Sequence, residues 1–310
     1  MRLASAAAAA LLCAACRSAP SAVPARAEPP DGGARAEAPQ AGADAGVAAP
    51  DDAARAEAAW ERRGGDPGAL DQAIALWEDA ALRAPDPGEL LLKAARGRRL
   101  RVDEKLRSAD ADLALAGQDA LACAAGAHRS WTGLYPTVAA QLDGTRGPAQ
   151  IFAQVGPNAA EALYLEAICT AAWARTQGFT PLIDRRGELL EELKRVATLA
   201  PDLDGAGAQR ELGRLLAALP AYAGGDLDEA RKQLEAAVQR APADARNHLA
   251  LARTVAVKAQ DRRLFERELA AVSKGDDAVA SAEAAGLLVR EDELFGPAEA
   301  AQPTPGGTQR

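Results

Sequence analysis

The sequence predicts an all-α fold, an array of paired helices broken by irregular insertions. Three observations predict it. Hydrophobic residues make up 48% of the 310 residues, yet aromatics make up only 4%. Closely packed helices suit that mixture, because strands draw on β-branched and aromatic side chains. Glycine and proline recur at 64–68, 85–88, 178–181, 201–207, 224–225 and 296–297, cutting the middle of the chain into helix-length pieces. One of those pieces nearly repeats another.

Taken in order, residues 1–16, "MRLASAAAAALLCAAC", carry one arginine and then an apolar run of about a dozen residues. That is the length of a secretory leader and too short for a membrane span. The run ends in Ala14-Ala15-Cys16, which resembles a bacterial lipobox, with Cys13 where leucine is usual. Cys16 is therefore expected to be lipidated and to become the mature N-terminus; ordinary leader cleavage is the alternative. Arg17 follows the cysteine, and resemblance to lipoproteins that lack an aspartate there points to the outer membrane. Residues 17–52 are rich in Ala, Pro, Gly and charge and cannot bury enough surface to offset their ordering. They predict a flexible tether spanning roughly 30–35 Å on average. Residues 297–310 predict a tail of the same kind.

Residues 53–296 form the predicted helical domain, clearest at 70–84, 108–127, 159–177, 187–199, 208–223, 227–241, 244–259, 262–273 and 277–291. Two stretches fit no helix pair, 131–158 and "GFTPLIDRRG" at 178–187, and are expected to carry partner or pore contacts. The near-repeat pairs "RRGGDPGALDQAIALWEDAALRAP" with "LPAYAGGDLDEARKQLEAAVQRAP". Aligned on Pro85 and Pro242, Ala73 meets Ala230, Trp77 meets Leu234 and Ala80 meets Ala237. Small residues at that spacing let two backbones approach, a large one fills the groove, and the proline stops the helix. This is the register of a tetratricopeptide-like helix pair, giving an α-α superhelix.

Four segments carry a family resemblance: "EALYLEAICTAAWARTQG" (161–178), "LAPDLDGAGAQRELGRLLAALPAYAGGDLDEA" (199–230), "QDRRLFERELAAV" (260–272) and "EDELF" (291–295). The chain resembles the T component of tripartite ATP-independent periplasmic (TRAP) transporter systems, the TatT family, over 160–296 and more loosely back to about residue 70. Leu165 stands where the family has an aromatic. The resemblance implies a periplasmic lipoprotein of tetratricopeptide-like pairs. It also implies a trimer that binds the transporter's solute-binding protein and passes a small or apolar ligand. A generic tetratricopeptide lipoprotein scaffolding an envelope complex is the alternative.

Little chemistry is legible beside that. The net charge of -8 and pI near 5.1 argue against nucleic acid. His128 and His248 stand far apart without metal-ligand spacing, and no nucleophile elbow or phosphate loop occurs, so no enzyme, metal or cofactor is expected. Asp202 and Asp204 mimic the start of a calcium loop, but Ala206 and Gly213 stand where ligands are required. The arginines 96, 98, 99 and 101 are expected on a solvated helix face, with a patch for an acidic partner as the alternative. Cys123 and Cys169 permit one disulfide in an oxidising compartment, or two buried thiols. Tyr164, Trp173, Phe179 and Tyr222 are the aromatics available for a ligand or pore, with packing as the competing reading. Tyr164 and Trp173, nine apart, fall on nearly opposite helix faces.

Overall fold

The computed structural model describes residues 50–107, 112–142, 144–275 and 277–297. Cys16, nearly all of the expected tether and nearly all of the expected tail lie outside them. The fold is all-α, with no strand among the described residues. No helix among them is long and apolar enough to cross a membrane.

The chain runs through α1 (Pro50–Arg62), α2 (Ala69–Arg83), α3 (Gly88–Arg107), α4 (Leu113–Leu134), α5 (Pro136–Ala139), α6 (Pro148–Phe152) and α7 (Ala160–Gln177). It continues through α8 (Thr180–Leu199), α9 (Gly207–Ala218), α10 (Leu227–Arg240), α11 (Ala245–Ala250), α12 (Arg262–Val272), α13 (Ala278–Val289) and α14 (Glu291–Phe295). The helix of α11 goes on through a π-helical turn, Leu251–Ala256. The longer helices pack on their neighbours in sequence: α1 on α2, α2 on α3, α3 on α4, α4 on α7, α7 on α8, α8 on α9 and α9 on α10.

Capping chemistry sets several starts. Asp112 accepts from the amides of Ala114 and Leu115, so α4 begins at Leu113. Asp226 accepts from Glu229 N at 2.9 Å, and Asp261 from Leu264 N at 3.0 Å. Residues 178–187 differ from expectation. They are not a long irregular connection, because α8 already begins at Thr180. Gly178, at φ +108°, makes the turn, and Pro181 in the first helical turn costs nothing there, since no intrahelical partner exists for its missing N–H. The expected helix 208–223 is shorter than predicted. Pro220 ends it, and a single 3-10 turn, Ala221–Ala223, follows.

The aligned residues are all interior: Ala73, Trp77 and Ala80 on α2, and Ala230, Leu234 and Ala237 on α10. A Cβ at Gly213 of α9 would lie 2.5 Å from Leu234 Cγ and 2.9 Å from the Ala230 carbonyl oxygen. The α9–α10 crossing therefore depends on a glycine facing an alanine. Cys123 of α4 and Cys169 of α7 are joined, Sγ to Sγ at 2.03 Å. Two main cores result. One gathers α4, α6, α7, α8 and α9 around Trp131, Phe152, Leu163 and Leu189. The other gathers α10 to α13 around Leu234, Leu264 and Phe265.

Candidate functional site

The central helix α7 is apolar on nearly every side, as befits a helix covered all round. Tyr164, Ile168, Ala172 and Arg175 recur along it at steps of four, four and three, so they share one face. That face looks into a cavity of about 590 Å³. The opposing walls come from α3, α9, α11 and its π-helical turn, and α13.

The lining is divided. Leu100, Leu106, Leu165, Ile168 and Leu249 give an apolar strip. Nine arginines and five carboxylates supply the rest, which leaves the cavity net positive within an acidic protein. Most of the guanidiniums have partners. Arg96 pairs with Glu161, Arg99 with Asp103 at 2.7 Å, Arg214 with Glu211 at 2.9 Å and Arg253 with Glu283 at 2.6 Å.

Asp204 organises one end. Its carboxylate accepts from Tyr164 Oη at 2.6 Å, Arg210 Nη2 at 2.6 Å and Arg246 Nη1 at 2.7 Å. The backbone there is unusual: Asp204, Gly205 and Ala206 are all left-handed, at φ 52°, 61° and 62°. Such a run costs energy for the two non-glycine residues and persists only when its surroundings hold it. Asn247, fully buried, supplies the hold by donating to the carbonyl oxygens of Gly205, Ala237 and Ala241. Asp202, the other acid of the calcium-like stretch, pairs with Arg240 at 3.0 Å. Arginines have absorbed both acids.

Arg107 and Arg175 lack any partner among the described residues, and of the two it is Arg175 that stands in the central helix. It makes no hydrogen bond or ion pair with any described residue. Its side chain is accessible because it borders the cavity, while protein crowds it elsewhere. Loss of surrounding water, together with the Arg214 guanidinium, pulls it down to about 10, still charged at neutral pH. Glu211 shows the same field from the other side. Burial alone would raise its carboxyl, but Arg214, Arg175, Arg210 and Arg99 hold it down to about 2. A surplus guanidinium in a concave, positive setting can accept a carboxylate or another oxyanion in bidentate fashion.

A model of the TRAP transporter T-component family matches residues 126–289. The chain belongs to the TRAP transporter T-component family. It is thus a TRAP transporter accessory component, and a place in the cell envelope follows. A search of curated proteins found no match. The T-component match covers Tyr164, Arg175, Asp204, Arg210, Glu211 and Arg214, whereas Arg96, Arg99 and Asp103 of α3 lie outside it. Two parts of the T component therefore build the cavity, one inside the matched segment and one before it.

Of the four aromatics singled out from the sequence, Tyr164 lines the cavity. Trp173 packs toward Val102 and Ala120 on the other side of α7. Phe179 and Tyr222 are exposed at the surface, 47% and 84%. The arginine run of α3 is not a solvated face. Arg98 and Arg101 converge on buried Asp119, and Arg96 and Arg99 turn into the cavity wall. Hydrophobic periodicity hid that split, because charged residues count as outside whether they meet water or one another. His128 contacts Glu166 at 2.9 Å, and His248 contacts Glu268 at 2.7 Å. Among the described residues no cluster of His, Cys, Asp or Glu could hold a metal ion. Sequence reasoning missed Arg175, Arg210 and Arg214. The available signal was Arg175 as the one basic residue of a mostly apolar α7.

Proposed function

We propose that this T component is a lipid-anchored periplasmic protein that holds an amphiphilic organic anion for its transporter. Arg175, charged and without a partner beside an apolar strip, is the observation that carries the reading. The acid group of the ligand pairs with Arg175, with Arg214 and Arg99 adding to the field. Its hydrocarbon part lies along Leu165, Ile168 and Leu249. The apolar ligand expected from the family resemblance gains an acidic head. The helical array, tetratricopeptide-like in its repeats, presents surfaces to the transporter's solute-binding protein, and a homotrimer is the expected assembly. Cys16 anchors it to the outer membrane, with residues 17–52 as the tether.

Calorimetry with octanoate and with octanol tests the ligand reading. Octanoate should bind, and Arg175→Gln should weaken it about 10-fold or more, the loss of one charge-assisted hydrogen-bonded pair. Equal binding of octanol, or an unchanged Arg175→Gln variant, would refute it. Mass spectrometry of the mature N-terminus tests Cys16, and co-purification of a TRAP solute-binding protein with the tethered form tests the partner.

A further inference from the structure

A second cavity, of about 380 Å³, lies on the other flank of α7. Glu166, two residues on from Tyr164, points to it and away from the first cavity. Its walls are α4 with His128 and Trp131, α6 with Phe152, and α8 with Arg185, Glu188 and Glu192. The insertion 131–158, which fits no helix pair, closes it. The cavity is thus what that insertion builds, and the anion reading leaves it without a role.

The charges here run opposite to those of the first cavity. Glu166 is satisfied: His128 Nδ1 lies 2.9 Å from one oxygen and Trp131 Nε1 donates to the other. Arg185 pairs with Glu188 at 2.8 Å. Glu192 is 2% exposed, and its Oε2 has no hydrogen-bond donor. A buried carboxyl oxygen without a donor costs free energy until something supplies one. The indole of Trp131 and the ring of Phe152, 6.1 Å apart, form an aromatic corner beside it. Aromatic faces and carboxylates together favour an ammonium group. Arg185 Nε, also buried without a partner, can donate to a hydroxyl on the same molecule.

We propose that this second cavity binds a small primary ammonium, of the amino-alcohol class, with Glu192 as its acceptor. No metal is needed, and the anion site across α7 stays independent. Among the described residues, the charged groups facing Glu192 are His128 from α4, Glu166 from α7, and Arg185 and Glu188 from its own helix; α5 and α6 line the cavity with Ala139 and Phe152. Burial, reinforced by the Glu166 carboxylate, pushes the Glu192 carboxyl well above the usual range. A carboxyl raised in this way keeps its proton to higher pH than an ordinary one. Where Glu192 carries that proton, an arriving ammonium displaces it and the proton passes to the solvent.

Calorimetry on the exported full-length protein in detergent, with ethanolamine as probe, tests the proposal. Buffers of differing ionisation enthalpy report the proton. Ethanolamine, protonated at neutral pH, should bind with a proton release that grows as pH is lowered, and ethylene glycol should not bind. Glu192→Gln, near-isosteric and free of the buried acid, should weaken ethanolamine about 10-fold or more. Arg175→Gln should leave it unchanged while weakening octanoate. Absence of ethanolamine binding in the folded protein, equal binding of ethylene glycol, or full binding by Glu192→Gln would each overturn the assignment.

Discussion

Arginines on two helices in contact, α3 and α7, are used in opposite ways. On α3, Arg98, Arg101 and Lys105 all reach the carboxylate of Asp119, at 2.9 Å for Arg98 and 2.7 Å for Lys105. Asp119 is buried, so three cations share an anion that water scarcely reaches, while Arg98 also pairs with Glu78 and Arg101 with Asp71. On α7, Arg175 has open space in front of it and pairs with no described carboxylate, although it lies in the field of Glu211. The same residue type secures a helix pair in one place and leaves a charge unanswered in the other. Only the count of acids within reach distinguishes them. A crowded carboxylate marks architecture, and the unpaired guanidinium in the concavity is where the proposed ligand would pair.

The largest effect should come from the closed group. Asp119→Ala removes the buried carboxylate shared by three cations, leaving Lys105 without it and Arg98 and Arg101 only their outer partners Glu78 and Asp71, and unfolding in urea should show a loss of about 3 kcal/mol. Acid should reach the same bonds. Burial would raise the Asp119 carboxyl, but hydrogen bonds from Arg101 and Lys105 lower it on balance. Its contribution is therefore complete above the unfolded value near 3.8 and is lost as pH falls through the lower folded value.

A smaller effect belongs to the imidazole pair. The hydrogen bond to Glu268 raises His248, with burial opposing it. This stabilisation is complete below the unfolded value near 6.5 and fades as pH rises through the higher folded value. His248→Gln should cost about 1 kcal/mol at pH 6 and less at pH 9, measured by denaturant midpoint. Equal loss at both would mean that packing alone holds the pair.

The smallest effect on stability should come from the open group. Arg175→Gln should shift the melting midpoint by no more than about 0.5 kcal/mol equivalent, upward if relief of repulsion from Arg214 dominates. A large loss of stability would break the comparison, because Arg175 would then be architectural too. Octanoate binding to the native protein should also weaken with salt, since part of the attraction is long-range.

Much of the fold was legible in the sequence because helices declare themselves locally. Proline and glycine marked most boundaries, and the Ala230, Leu234, Ala237 register marked a buried face. The exceptions have physical reasons. Pro181 reads as a break but is harmless in a first turn, which disguised the start of α8. The charge-rich sequence of α3 blurs its buried side. The cavity was hardly legible, because α3, α7, α9 and α11 meet there from distant parts of the chain. Nothing local announces that Ala206 adopts φ 62°, a conformation imposed by contacts from α11.

The bond between Cys123 and Cys169 ties α7, the helix carrying Arg175, to α4 across a separation of 46 residues. Thiols stay reduced in the cytoplasm, so before export packing alone would hold that helix in place. Chain-closure arguments put such a staple at about 4 kcal/mol. The cavity wall would thus be fastened late, after the chain has left the cell interior. Untransported copies would have a softer pocket and a weaker hold on any cytoplasmic acid. Compartment, and not sequence alone, would then decide when this protein can first grip its ligand.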